Sequence, residues 1–427
     1  MASPPRMQPA DFLIEHAARV VTCAGPAPRR GLRQREISPL DNAVIAAHKG
    51  VIVYVGPGDA LPQHVDVEPT ATRVDARGGT VVPGFVDPHT HVVFAGNRHD
   101  EFRRRLAGAS YAQIAAEGGG IVSTVAQTRA ATEDELVADT RIRLDAMLAC
   151  GTTTCEAKSG YGLTVESELK ILQAIAHLAD KHAMEIVPTF LGAHEVPHEF
   201  RNRREEYVDL VIDEMIPAVA ASRLAEWCDV FCETGVFTPD DSIRILEAGQ
   251  AAGLRARIHA DELAASGGSH AAARVSARSA DHLIFAPADG IAAMSAAGVA
   301  ATLLPVAAFY LKLGRFAPAR DFIAAGVPVA LATDVNPGGG FSPSMPFAMT
   351  LACFSMHMTF EEALVAATIN AAWSLDRSDR IGSLEPGKQM DVVLVNGDAI
   401  NLIRVGAPSI AAVIKRGACV SGRLPNH

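Results

Sequence analysis

Two histidines one residue apart, His89 and His91 in the stretch TVVPGFVDPHTHVVF, are the part of the chain best suited to chemistry. On a strand, side chains two apart share a face, so the two imidazoles project together as two ligands of one metal ion do. An isolated H-x-H is frequent by chance, and two polar residues at a strand end are its plainer reading. Two other residues change the balance. His259 in RIHADE and Asp334 in ATDVNPGGG each follow a short apolar run. Alone, His259 reads as a hydrogen-bonded core histidine and Asp334 as a turn-forming aspartate. Jointly, His89, His91, His259 and Asp334 make the nitrogen and carboxylate donor set that zinc or iron accepts, with a position left for water.

A bound metal makes hydroxide available near neutral pH and polarises a carbonyl, but a proton still has to reach a leaving nitrogen. Glu262 lies three residues past His259. His282, in SADHLIF, reads as lying at the start of the next strand. The plainer alternatives are a first-turn helix charge for Glu262 and a core histidine for His282. Arg98 in GNRHDEF suits bidentate capture of a carboxylate, although Arg98, Arg103, Arg104 and Arg105 equally read as a solvated face. Tyr161 in KSGYG and His194 in GAHEVPHEF add hydrogen bonds for a small polar ring, and Asn336 and Gly338 follow Asp334.

These residues need a frame that brings distant segments together. Eight short apolar runs read as buried strands: Phe85–His91, Thr152–Ala157, Ile186–Leu191, Cys228–Cys232, Ala256–His259, Asp281–Phe285, Ala300–Leu304 and Val327–Ala332. Helical stretches such as Glu133–Cys150, Val165–Ala183 and Pro239–Ala252 alternate with them. Thr132 with Glu135, and Thr359 with Glu362, match the capping box. Thr238-Pro239 matches an N-cap followed by proline. Eight strand–helix units in series predict an α/β (β/α)₈ barrel, TIM-like, whose site lies at the C-terminal strand ends. A doubly wound sheet is the rival, but no G-x-G-x-x-G follows a strand. The run Gly118–Gly120 follows a helical stretch and reads as a mobile loop. Both chain ends are rich in short strands and tight turns, which predicts one accessory domain built from the two termini.

Composition narrows the function further. The net charge is −10 and no basic run occurs, so neither nucleic acid nor an anionic membrane is an expected partner. The seven cysteines are scattered without a C-x-x-C, which argues against a disulfide framework or zinc ribbon. Gly290 to Leu311 is uncharged and long enough to raise the membrane question. Its Ser, Gly and Pro content reads better as a buried helix followed by a buried strand. MASPPRMQPADF shows no apolar leader core, so a soluble, cytoplasmic protein is expected.

With these motifs assembled, FVDPHTH, the single histidine of HADE and the TD of the last strand resemble the amidohydrolase superfamily. More narrowly, GFVDPHTHVVFAGNRHDEF, GGGIVSTVAQTR, EAKSGYGL, TFLGAHEVP, IHADE, SADHL and ATDVNPG resemble the imidazolonepropionase family over nearly the whole chain. The resemblance implies a (β/α)₈ hydrolase barrel over 83–375 and a small β-sandwich domain from 1–82 and 376–427. It implies hydrolysis of the ring amide of 4-imidazolone-5-propanoate to N-formimidoyl-L-glutamate, a step of histidine degradation, with one Zn²⁺ or Fe³⁺ per subunit of a homodimer. By the same resemblance His89, His91, His259 and Asp334 hold the metal, and Glu262 and His282 are the acid–base pair. Arg98, Tyr161, His194 and Glu262 contact substrate; Tyr161, Asn336 and Gly338 contact product. Gly339 stands where the family usually has a small hydroxyl residue, so any contact there is through backbone. Some relatives bridge two metals with a carboxylated lysine after the fourth strand; Lys158 follows the second, so one metal is expected. The alternatives are another cyclic amidase or deaminase on the same barrel, or an inactive barrel kept as a scaffold. Arg98 as an anion clamp argues against the first, and the complete donor set against the second.

Overall fold

Phe85–Asp87, Thr152–Lys158, Glu185–Ala193, Trp227–Cys232, Arg255–Ala260, Ser279–His282, Ala300–Leu303 and Val329–Leu331 form one parallel sheet in chain order. This is a computed structural model, which describes residues 7–109 and 119–424. Gly118, part of the glycine run read as a mobile loop, and residues 1–6, part of the opening stretch expected to lack a leader core, lie outside them. Helices follow the strands as right-handed βα repetition requires, among them Glu133–Ala149, Val165–Lys181 and Pro239–Ala251. The capping boxes at Thr132 and Thr359 form. Thr238 caps as expected and adds a box of its own with Asp241.

Two strand expectations need correction. The first strand stops at Asp87 rather than His91, because Pro88 has no N–H to give a ladder. His89 and His91 therefore lie on the extended segment beyond the strand, not on it. The sixth strand is Ser279–His282 rather than Asp281–Phe285. His282 and Leu283 take φ of +74° and +60°, which breaks the ladder there, so His282 sits at the strand's end and not its start. Its place at the mouth of the barrel follows.

The segment beyond the first strand closes the barrel. Asp334 N donates to His89 O at 3.1 Å, and His91 N donates to Val335 O at 2.9 Å, while Lys158 N donates to Thr90 O at 3.0 Å. The first strand's continuation is thus bonded to both the second and the eighth. Toward the strand starts, Val86, Val187, Trp227 and Ala330 pack with Ala371, Ala372 and Leu375, so the barrel is plugged below.

The uncharged stretch Gly290–Leu311 contains the end of a helix, Ala288–Ala297, then the strand Ala300–Leu303, then the helix Pro305–Tyr310. Among the described residues no helix is long and apolar enough to cross a membrane.

Strands from both termini make two further sheets, one of four strands and one of six. Phe12, Ile45 and Val74 of the first sheet share a core with Val81, Val392 and Ile414 of the second, which is a β-sandwich. Thr80–Pro83 pairs antiparallel with Val392–Val395, tying the two ends of the chain together. The next residue, Gly84, leads straight into the first barrel strand. A Cβ at Gly84 would collide with the Thr153 side chain, so only glycine lets the chain pass from sandwich to barrel this closely.

Candidate metal centre and active site

Three imidazole nitrogens meet at the mouth of the barrel. His91 Nε2 lies 3.3 Å from His89 Nε2 and 3.2 Å from His259 Nε2. Asp334 Oδ1 is 3.7 Å from His89 Nε2 and 3.6 Å from His91 Nε2. The other nitrogen of two of these rings is engaged: His89 Nδ1 lies 2.7 Å from Asp281 Oδ2, and His259 Nδ1 lies 3.1 Å from Asp229 Oδ2. A carboxylate fixes the proton on the nitrogen facing it, so the lone pairs of the His89 and His259 Nε2 atoms converge. Asp334 Oδ1 is buried and has no hydrogen-bond partner.

Convergent lone pairs at this spacing repel one another unless a cation lies between them. Two nitrogens about 2.0–2.1 Å from one tetrahedral ion are roughly 3.3 Å apart, which matches the observed separations. Burial, with the Asp281 charge nearby, pushes the Asp334 carboxyl up to about 7, and a cation at the centre opposes that shift. Burial also holds His89 and His91 well below the usual imidazole range, and neutral imidazole is the ligand form. The residues fit a metal ion.

Except for His89, which lies beneath the others, every residue expected at the site lines one cavity of about 460 Å³. His282 closes one side, its ring 5.3 Å from those of both His89 and His259. Its Nδ1 is 3.5 Å from Glu262 Oε1, close enough for proton exchange after a small closure. Burial, with Asp334 and Glu233 nearby, raises Glu262 well above the usual carboxyl range. Opposite, His194 stacks on His91 with ring centroids 4.8 Å apart. Its Nδ1 is 2.9 Å from Gly160 O, which assigns the proton to Nδ1 and leaves Nε2 as an acceptor. Tyr161 packs 5.2 Å from His194. Arg98 lines the same cavity with Asn336, Gly338 and Gly339. The Gly338 and Gly339 amides both donate to Asn336 Oδ1, at 2.7 and 2.6 Å, so the backbone there is already held by Asn336.

Several of these residues carry backbone strain. Asp261, His282 and Asp334 adopt φ of +50°, +74° and +56°, a region that costs a side-chain-bearing residue of order 1–3 kcal/mol.

Known proteins share this arrangement of barrel and sandwich. The amidohydrolase family model matches residues 80–420. An imidazolonepropionase of Symbiobacterium thermophilum is 48% identical over 417 residues, 97% of this chain and 98% of that protein. One of Geobacillus kaustophilus is 50% identical over 388 residues, covering 90% and 91%. The chain belongs to the imidazolonepropionase family.

More distant structures agree in fold alone. A zinc-bound adenosine deaminase from Xanthomonas campestris superposes with a TM-score of 0.71 at 19% identity, covering 97% of this chain and 93% of its own. The E. coli guanine deaminase gives 0.72 at 14%, covering 96% and 99%. Membership of the imidazolonepropionase family, a branch of the amidohydrolases, together with the His/Asp cluster makes this a metal-dependent site.

Beneath the candidate metal ligands lies a layer of charge, of which only Lys158 figured in the sequence reading. Lys158 Nζ, fully buried, lies 2.6 Å from Glu156 Oε1 and 2.7 Å from Asp229 Oδ2. Arg257, equally buried, reaches Asp281 Oδ2 at 3.4 Å and donates to Pro88 O at 2.8 Å. The two carboxylates that orient His259 and His89 are therefore held by one lysine and one arginine. Lys158 is engaged by these ion pairs. Alternation along each strand was the available signal: Glu156 with Lys158, and Arg257 with His259, are i,i+2 pairs on buried strands. Exchanging Lys158 for Met takes the ammonium from Asp229 and leaves Glu156 only the more distant Arg257, at 3.8 Å, and is expected to cost about 3–5 kcal/mol in denaturant unfolding of the metal-loaded protein. A loss below about 1 kcal/mol would show that the carboxylates do not depend on it. The sequence reading also missed the wall supplied after the seventh strand, where Tyr310, Leu311 and Leu313 line the cavity with Phe231.

Proposed function

We propose that this chain hydrolyses the ring amide of 4-imidazolone-5-propanoate to N-formimidoyl-L-glutamate, using one zinc or iron ion per chain held by His89, His91, His259 and Asp334. The observation that carries this reading is that a converging imidazole–carboxylate cluster and a buried arginine, Arg98, lie in one cavity of about 460 Å³. One end suits a polarised carbonyl and the other a carboxylate side chain. The near-half identity to named imidazolonepropionases supports the substrate.

When bound, the ion supplies a Lewis acid for the ring carbonyl and acidifies water. The protein does the rest. Arg98 holds the propanoate through charge-assisted hydrogen bonds. Tyr161 and His194, the latter kept neutral by burial at about 3, orient the ring. Glu262, in its ionised form, takes the proton from the attacking water. It then delivers the proton to the ring nitrogen as the C–N bond breaks, with neutral His282 beside it. Water's hydroxyl ends on the carbonyl carbon and its proton on the nitrogen. Phe231, Tyr310 and Leu313 keep bulk water from the ring.

The test follows loss of imidazolone propanoate by metal-loaded protein, native and Arg98→Ala. Losing one partner of a buried charge pair costs about 2–5 kcal/mol, so kcat/KM should fall about 100-fold or more, mostly through KM. Unchanged kcat/KM would refute the assignment of Arg98, and no hydrolysis by the native protein would refute the reaction.

A further inference from the structure

Near the carboxylate end of the cavity the structure buries an acid. Glu101 is on the first turn of the helix His99–Leu106 and is the buried residue of that helix. Its side chain is 7% exposed and that of Arg98 is 8% exposed. Arg98 Nε donates to Glu101 Oε2 at 2.7 Å, and Arg98 Nη2 donates to Glu101 Oε1. This is a two-pronged pair that fixes the plane of the guanidinium. With the Nε–Nη2 edge so held, Nη1 turns toward Gly338, where an added Cβ would collide with it. Glu101 Oε2 also accepts the Gly120 N–H at 3.0 Å, so the same carboxylate anchors the start of the helix Ile121–Ala130. From Gly338 the bonding continues: Gly338 N donates to Asn336 Oδ1, and Asn336 Nδ2 donates to Asp334 O at 2.8 Å.

By charge alone, an acid beside an anion pocket weakens binding of an anion. Its placement makes sense if orientation outweighs that repulsion. We propose that Glu101 is the positioning residue of the carboxylate clamp, setting the Arg98 guanidinium over Gly338 and so determining preference for a substrate with an acidic side chain. The inference rests on Arg98 holding the propanoate.

Charge and position predict opposite signs, which makes the test decisive. Metal-loaded Glu101→Gln and Glu101→Asp proteins are compared with native protein on 4-imidazolone-5-propanoate and on its uncharged propanamide counterpart. Gln removes the charge; Asp keeps it but draws the carboxylate back by one methylene. Both variants should raise KM for the propanoate about tenfold or more, with kcat held within about threefold, because a misplaced clamp weakens binding without touching the reacting atoms. The propanamide should be unaffected by either. A KM that falls or stays level in Glu101→Gln would show a charge effect and overturn the proposal. A native KM in Glu101→Asp would do the same, and this variant decides the matter if the Gln protein does not fold. Arg98→Ala separates the two readings. If it raises KM while the Glu101 variants do not, only the role of Glu101 falls. If it leaves KM unchanged, both fall.

Discussion

Protein carrying His259→Ala will purify with well under one metal ion per chain and will hydrolyse imidazolone propanoate at least about 1,000-fold more slowly than native protein. The magnitude follows from the site. His259 supplies one of the three converging imidazoles, and a centre left with two imidazoles and a carboxylate loses most of its hold on the ion. A metal's contribution to charge stabilisation is several kcal/mol, and each 1.36 kcal/mol is a factor of ten. The fold should survive, because Asp229, which loses its histidine, keeps Lys158 at 2.7 Å. Metal content by atomic spectroscopy, circular dichroism and turnover together check the expectation. A variant that still binds one ion tightly and turns over normally would remove His259 from the donor set. Stripping native protein with a chelator should reproduce the loss, and adding back zinc or iron in turn should reverse it and identify the effective ion.

The second large effect separates acid–base work from metal binding. Glu262→Gln is expected to keep a full complement of metal while kcat drops about 10²–10⁴-fold, the usual range for a lost general acid–base group. KM should change little, since the amide can still hydrogen-bond to what the carboxyl touched. The geometry motivates the split: Glu262 faces His282 at 3.5 Å across the cavity but makes no contact with the ring nitrogens that converge on the ion. Near-native kcat would exclude Glu262 as the proton carrier, and loss of metal along with activity would make its role structural.

What could be read from the chain divides along physical lines. The ligand candidates were legible because each lies just past an apolar run, where the barrel rule puts function, and because imidazole and carboxylate are a recognisable donor set. The helix starts at Thr132, Thr238 and Thr359 were legible because capping is local chemistry. The ends of strands one and six were not. Pro88 stops the first ladder where apolar pattern alone carries it on, and the positive φ at His282 is set by tertiary packing. The Lys158–Asp229 and Arg257–Asp281 pairs were hidden for another reason. Each residue alone looks like an anomaly in a buried strand, and only the closed sheet brings four strands' charges to one point. Gly338 shows the same limit, since its lack of a side chain makes sense only with Arg98 passing over it.

The seam that closes the barrel has a consequence for the order of assembly. His89 and Asp334 are joined there by a main-chain hydrogen bond of 3.1 Å, yet they lie at opposite ends of the barrel's chain. The full donor set proposed for the ion therefore does not exist until the eighth strand has docked against the first. Metal capture becomes a report that folding is complete, and free metal then acts on the folded state alone. Each tenfold rise in free ion above its dissociation constant adds about 1.4 kcal/mol of stability, delivered at the one joint where the cylinder would otherwise split. Depletion of the ion should accordingly be felt first as faster amide exchange along that joint, before any change reaches the sandwich.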